Sequence, residues 1–236
     1  MLSQMPTGFT IRLFAFSLLT STAMAATPDE ILRAADDIRN PSESFFMHVT
    51  VTGNDASSAF EVYTKGKDKT LIKTVAPIRD VGRDLLMLQE NMWAYIPNLK
   101  RAVRVSLNQK LTGQTANGDI ARMRWFGDYA ATLEKETTDV WQLKLEASKK
   151  GLTYDRLRAF VQKKTFRPIK AEYLSSSDVL LKTAVFEGYK TMAGKMRPTI
   201  IKITGNKSSE TSTIEISKME SRDLPASLFF QETLGK

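Results

Sequence analysis

The chain has 236 residues, a formal net charge of +8, one histidine and no cysteine. Such a length buries a full core in one domain, and without disulfides that core must carry the fold alone. With no Cys and one His, a metal site lacks partners, and after a leader there is no cysteine to take a lipid anchor.

Residues 1–25 read as an export leader. Arg12 is the only charge, Leu13 to Leu19 form an apolar stretch too short to span a bilayer, and Ala23-Met24-Ala25 is a cleavage site. Cleavage near Ala25 leaves a single domain, 26–236, of charge about +7 because Arg12 leaves with the leader. No later segment is apolar enough to cross a membrane. The mature protein is therefore expected to be soluble, in a bacterial periplasm, and not an integral membrane protein.

Thr27-Pro28-Asp29-Glu30 opens a helix with a cap, a proline at the first helical position and a capping-box glutamate. Ile31, Ala35 and Ile38 fall on one face, and Asn40-Pro41 ends the helix. From Ser44 the period changes to two. Phe45, Met47, Val49 and Val51 point one way, and Phe46, His48, Thr50 and Thr52 the other. Alternating runs follow at 59–65 and 69–76. Leu85-Leu86-Met87-Leu88 is apolar throughout, so both its faces should meet apolar matter.

The stretch from Met92 to Leu133 concentrates large apolar groups and positive charge. It starts as a strand, Met92 to Pro97, passes a basic turn with Lys100, Arg101 and Arg104, and continues as a strand from Ala102 to Leu107. Gly118 to Phe126 reads as a short amphipathic flap helix, capped by Asn117 or Asp119, with Ile120 and Met123 on one face and Trp125 beside them. Alternation resumes at Tyr129 and recurs through Trp141-Leu143-Leu145, 156–162, 169–173, 179–189, 199–204 and 211–218, before a helical turn at 223–229. About ten strands with clean alternation predict a mainly β fold, an α+β antiparallel sheet that curls into a partly open barrel with helices over its mouth.

Catalytic readings find little support. His48 lies mid-strand, where a satisfied structural histidine is the default, and no Walker, dinucleotide or nucleophile-elbow signature occurs. Asp119 and Asp128 are explained by capping and turn formation. The chain is expected to be no enzyme and to need no cofactor or metal. Lys100, Arg101, Arg104, Arg122 and Arg124 are candidates for docking anionic head groups or an acidic partner; export argues against nucleic acid.

Met92-Trp93-Ala94-Tyr95-Ile96-Pro97, the following Lys100-Arg101, the Gly118-Asp119 turn and Leu224-Pro225-x-x-Leu228-Phe229 resemble the LolA-like outer-membrane lipoprotein-sorting family over most of the mature chain. The resemblance implies an open antiparallel barrel of about eleven strands lidded by helices. It implies a periplasmic carrier, or chaperone, holding lipid or lipoprotein acyl chains in a hydrophobic cavity on the way to the outer membrane. An inner-membrane exporter and an outer-membrane acceptor would be its partners. The alternative is a lipid-sensing or accessory module of an RND-type exporter or an envelope stress pathway. The cavity and flap candidates are Phe45, Met47, Val49, Met87, Met92, Trp93, Tyr95, Ile120, Met123 and Trp125. Arg79, Arg122 and Arg124 are the candidates for an arginine that locks the lid.

Overall fold

The computed structural model describes residues 26–41, 44–207 and 210–235. The expected leader lies outside the described residues. Helix α1 (Pro28–Arg39) starts as expected. The Thr27 hydroxyl accepts from the Glu30 amide at 3.3 Å, and the Glu30 carboxylate accepts from the Thr27 amide at 2.8 Å, so two orphan donors are satisfied reciprocally. Asn40 is extended and ends the helix. The buried stripe is Ile31, Leu32, Ala35, Asp36 and Arg39. Ile38, expected on it, is only half-buried, and two charged residues are fully inside.

Strands β1 (Phe45–Thr52), β2 (Ser57–Lys65), β3 (Lys69–Ala76), β4 (Leu85–Leu88), β5 (Asn91–Ile96) and β6 (Arg101–Val105) form a meander. A small hairpin, β7 (Lys110–Thr112) and β8 (Thr115–Ala116), leads into helix α2 (Asn117–Ala121). A second meander runs through β9 (Tyr129–Glu136), β10 (Val140–Ala147), β11 (Arg156–Gln162), β12 (Pro168–Leu174) and β13 (Leu180–Glu187). A second hairpin, β14 (Lys190–Met192) and β15 (Lys195–Arg197), precedes β16 (Ile200–Gly205) and β17 (Thr211–Ser221). Two 3₁₀ turns, Ala226–Phe229 and Gln231–Thr233, follow.

Thirteen strands make one antiparallel sheet in the order β6-β5-β4-β3-β2-β1-β17-β16-β13-β12-β11-β10-β9. The expected partly open barrel of about eleven strands is thus a larger sheet, with β6 and β9 as its outer members. The strands at one end of it, β4, β5 and β6, are short, with 4, 6 and 5 residues. They are supported from behind: Leu71, Leu86, Leu224, Phe229 and Leu234 form a second apolar cluster on the outer face, with Trp93 and Tyr95 packed against it. The run Leu85–Leu88 is covered on both faces, as its composition predicts.

The main core occupies the other face. Met47, Val49 and Val51 of β1 join Met87 of β4, Met92 of β5, Leu143 and Leu145 of β10 and Ile31, Leu32 and Ala35 of α1 in one cluster. A flat sheet of this many strands would be about 60 Å wide. Side chains from strands as far apart as β5 and β10 share one cluster with α1, and a sheet of this size tends to curl. His48 sits half-buried on the outer face, where its Nδ1 lies 3.1 Å from the Ser217 hydroxyl.

Candidate functional site

A cavity of about 310 Å³ opens between α1, the start of β1, the β2–β3 turn and the segment after α2. Its apolar lining comes from Phe45, Ile120, Met123 and Phe126, and its rim carries Arg33, Asp37 and Lys67. This volume is at the low end of the roughly 300–1,000 Å³ typical of small-molecule sites. Residues from the segment after α2 cover it on one side.

That covering segment, residues 117–128, is held by polar contacts at three points. The first is α1. The Asp36 carboxylate accepts from the amides of Trp125 (3.0 Å) and Phe126 (3.2 Å), from Asn40 Nδ2 (2.9 Å) and from Arg39 (3.3 Å). Burial pushes the Asp36 carboxyl up to about 6, against the opposing pull of Arg39 and the two amides. The Arg39 guanidinium lies 3.7 Å from the Trp125 ring centroid, and Trp125 meets Phe186 edge-on at 5.9 Å. Arg33 lies 4.1 Å over the Phe126 ring.

The second point is a buried ion network. Arg122 grips Asp128 with two nearly parallel bonds of 2.6 and 2.7 Å, and Arg124 adds a third of 2.6 Å. Burial disfavours the ionised form of Asp128, but the bonds from Arg122 and Arg124 outweigh it and hold the carboxyl below the usual range. Arg122 also donates to the Gln89 carbonyl at 2.8 Å, which ties the network to the β4–β5 turn.

The third point is Asp119. It accepts from the Ala116 amide at 2.7 Å and the Tyr154 hydroxyl at 2.9 Å, and it pairs with the buried Lys182. Burial, then the Asp119 carboxylate, pushes the Tyr154 hydroxyl up. The Thr70 hydroxyl donates to the Ala121 carbonyl at 2.9 Å, joining the end of α2 to β3. Gly118 passes so close to β11's flanking loop that a Cβ there would lie 1.9 Å from Thr153 Oγ1. Only glycine fits.

The expected flap helix, 118–126, is helical only over Asn117–Ala121. Beyond it Arg122 turns inward to Asp128 and Asp36 takes the next free amides, so side chains replace the helical bonds. The helix N-cap is Ala116 rather than Asn117 or Asp119. Asn117 instead donates to the Ser106 carbonyl.

Of the cavity candidates, Phe45, Ile120 and Met123 line the cavity. Met47, Val49, Met87 and Met92 are buried in the core behind it, and Trp125 is buried against Arg39. Trp93 and Tyr95 are on the opposite face, under the C-terminal segment. The pleat decides this: Met92 and Ala94 point inward, so their neighbours point out. Of the docking candidates, Lys100 and Arg101 are exposed at their turn, and Arg104 is exposed on β6 beside Asn91. Arg122 and Arg124 belong to the buried network instead. Arg79 is exposed beside Asp80, away from the covering segment. Sequence reasoning missed Asp36, Arg39 and Lys182. For Asp36 the signal was an acid four residues after Leu32 on the apolar face of α1.

Among the described residues no group of three or more His, Cys, Asp or Glu could hold a metal ion, and no helix is long and apolar enough to cross a membrane. No curated protein matches the chain. A family model described only as an uncharacterized protein matches residues 66–236. A LolA superfamily protein from Nitrosomonas europaea superposes with a TM-score of 0.83 at 36% identity, over 89% of this chain and 100% of that one. A domain from Vibrio parahaemolyticus described as an outer membrane lipoprotein-sorting protein superposes at 0.74 with 19% identity, over 89% and 98% of the two chains. A DUF1329 family protein from Desulfovibrio piger gives 0.75 at 21% identity, over 89% and 100%. These last two share the fold. The 36% identity across the whole of the Nitrosomonas protein shows that this chain belongs to the LolA superfamily.

Proposed function

We propose that this protein is a periplasmic carrier for lipid or lipoprotein acyl chains, with residues 1–25 as its export leader and 26–236 as one binding domain. The observation that carries this reading is the cavity, part apolar and part charged, beside a segment that hydrogen bonds and ion pairs help to fasten. Phe45, Ile120, Met123 and Phe126 are the proposed first contacts of the chain. The curled sheet, open at its two edges, would deepen around it as a partly open barrel. Burying a sixteen-carbon chain is worth about 12 kcal/mol gross, at roughly 0.8 kcal/mol per methylene. A carrier must also release its cargo, so part of that energy has to be returned on loading. Displacing the covering segment from Asp36 and Thr70 supplies such a cost. The Vibrio domain's description as lipoprotein-sorting supports the same reading.

Native mass spectrometry of protein purified from the periplasm tests it. The expected result is an acyl-bearing adduct that is reduced in Ile120→Glu, which places a charge in the cavity. A wild-type protein that carries no lipid and takes none up from vesicles would refute the carrier function.

A further inference from the structure

The β3–β4 and β5–β6 turns meet at one end of the sheet. Leu85 of β4 faces Ala94 of β5, and Ile96 faces Arg101 of β6, so residues 77–84 and 97–100 leave the same ends of adjacent strands. A Cβ on Gly82 would lie 3.6 Å from Pro97 Cγ, in ordinary contact. The cavity is at the opposite end of these strands, where Lys67 of the β2–β3 turn lines it and Gln89 of the β4–β5 turn receives Arg122.

Each turn is closed by its own backbone bonds. The Asp80 amide donates to the Pro77 carbonyl at 2.9 Å, and the Lys100 amide donates to the Pro97 carbonyl at 3.1 Å. These firm turns hold aliphatic side chains out in water: Ile78 is 88% exposed, Leu99 56% and Val81 43%. Arg79, Arg83, Lys100 and Arg101, all exposed, surround them. The acids of the two turns are Asp80, which lies 3.4 Å from Arg79 and 3.6 Å from Arg83, and the buried Asp84. Four cations less two acids leave the tip at +2.

We infer that this tip docks the protein on an anionic phospholipid bilayer, with Ile78, Val81 and Leu99 entering the head-group layer and the four cations on the phosphates. The inference goes beyond cargo binding, since the tip is remote from the cavity. Charge complementarity selects an anionic surface. The apolar chemistry selects lipid: the tip is convex and aliphatic, whereas protein hot spots favour Trp, Tyr and Arg and use Leu and Val sparingly. A bilayer accepts exposed aliphatic groups without needing a groove shaped to them.

Vesicle flotation of the mature protein tests the inference. The wild type should float with phosphatidylcholine vesicles containing about one third phosphatidylglycerol, much less with phosphatidylcholine alone, and less as salt rises. The double variant Ile78→Ser/Leu99→Ser should bind the anionic vesicles about tenfold more weakly at low salt with an unchanged melting temperature. Arg79→Glu/Lys100→Glu should lose binding and its salt dependence. In Ile78→Trp the emission of the introduced indole should shift to the blue on adding vesicles and be quenched by brominated acyl chains. Acyl content by native mass spectrometry should be the same in all three variants, which separates this test from that of the carrier reading. Equal binding by the wild type and the serine variant would overturn the inference, as would equal flotation with neutral vesicles. So would a tip that ignores vesicles and crosslinks from position 78 to an envelope protein.

Discussion

The buried carboxyl of Asp36 makes the stability of the fold depend on pH in a direction opposite to the usual acid denaturation. Its ordinary value is 3.8, and in the fold burial raises it to about 6. Between those values the folded state binds a proton that the unfolded chain does not. Stability from this group therefore rises as pH falls from about 6 towards 4, and is lost as pH rises through 6. A difference of roughly two units at 1.36 kcal/mol each gives about 3 kcal/mol. Asp36→Asn keeps the shape and one acceptor oxygen but cannot ionise. Urea unfolding of both proteins from pH 4 to 7.5 isolates the effect, because every other carboxylate is common to the two. The wild type should gain about 2–3 kcal/mol relative to the variant on going from pH 7 to 4, a midpoint shift of about 1 M urea. Hydrogen exchange adds a local reading: the amides of Trp125 and Phe126, which share this one carboxylate, should be the sites that change. Parallel stability curves, or a wild type that loses ground in acid, would refute the reasoning.

Asp128→Asn removes the buried carboxylate that bridges Arg122 and Arg124 and should cost about 3–5 kcal/mol in urea unfolding; a loss below about 1 kcal/mol would deny the network its role. Gly118→Ala should cost about 1–3 kcal/mol through overpacking against Thr153, and Thr153→Ala in the same chain should recover part of it in thermal melts. Phe229→Ala should cost about 3 kcal/mol by uncovering Leu71 and Leu86, measured in the same way. The native chain has no cysteine, so a Thr70→Cys/Ala121→Cys pair can be bridged cleanly. The bridged protein should stay folded and fail to load acyl chains, and equal uptake by bridged and reduced forms would rule out displacement of the segment.

Where one face of an element meets the core and the other meets water, its residues announced the structure. Phe45, Met47, Val49 and Val51 alternate cleanly, and the capping box of Thr27 and Glu30 reads directly from spacing. Reading failed where both faces are apolar. Trp93 and Tyr95 are as large and greasy as any cavity residue, and their outward direction depends on Leu224, Phe229 and Leu234, far along the chain. Trp141 shows a milder version: it shares its face with Leu143 and Leu145 but is only half-buried, beside Phe166 at the edge of the core. The candidate site was legible in Ile120 and Met123 and obscure in its fastenings. Asp36 finds the amides of Trp125 and Phe126, and Asp119 finds Lys182 of β13, through contacts that no local spacing encodes.

The seam between β1 and β17 has a consequence for how the molecule is made. The two meanders, β1–β6 and β9–β13, are built from neighbours in the chain and can form as local units. The centre of the sheet joins them through strands such as those of His48 and Ser217, which are 169 positions apart. Closing so long a loop is slow and brings little reward until the whole register pairs. Synthesis must pass residue 221 before β1 has the whole of its second neighbour, and only then do the two meanders share one core. A nascent chain halted before β17 would present two sheets with open apolar faces, the form in which this protein is most exposed to aggregation and proteolysis.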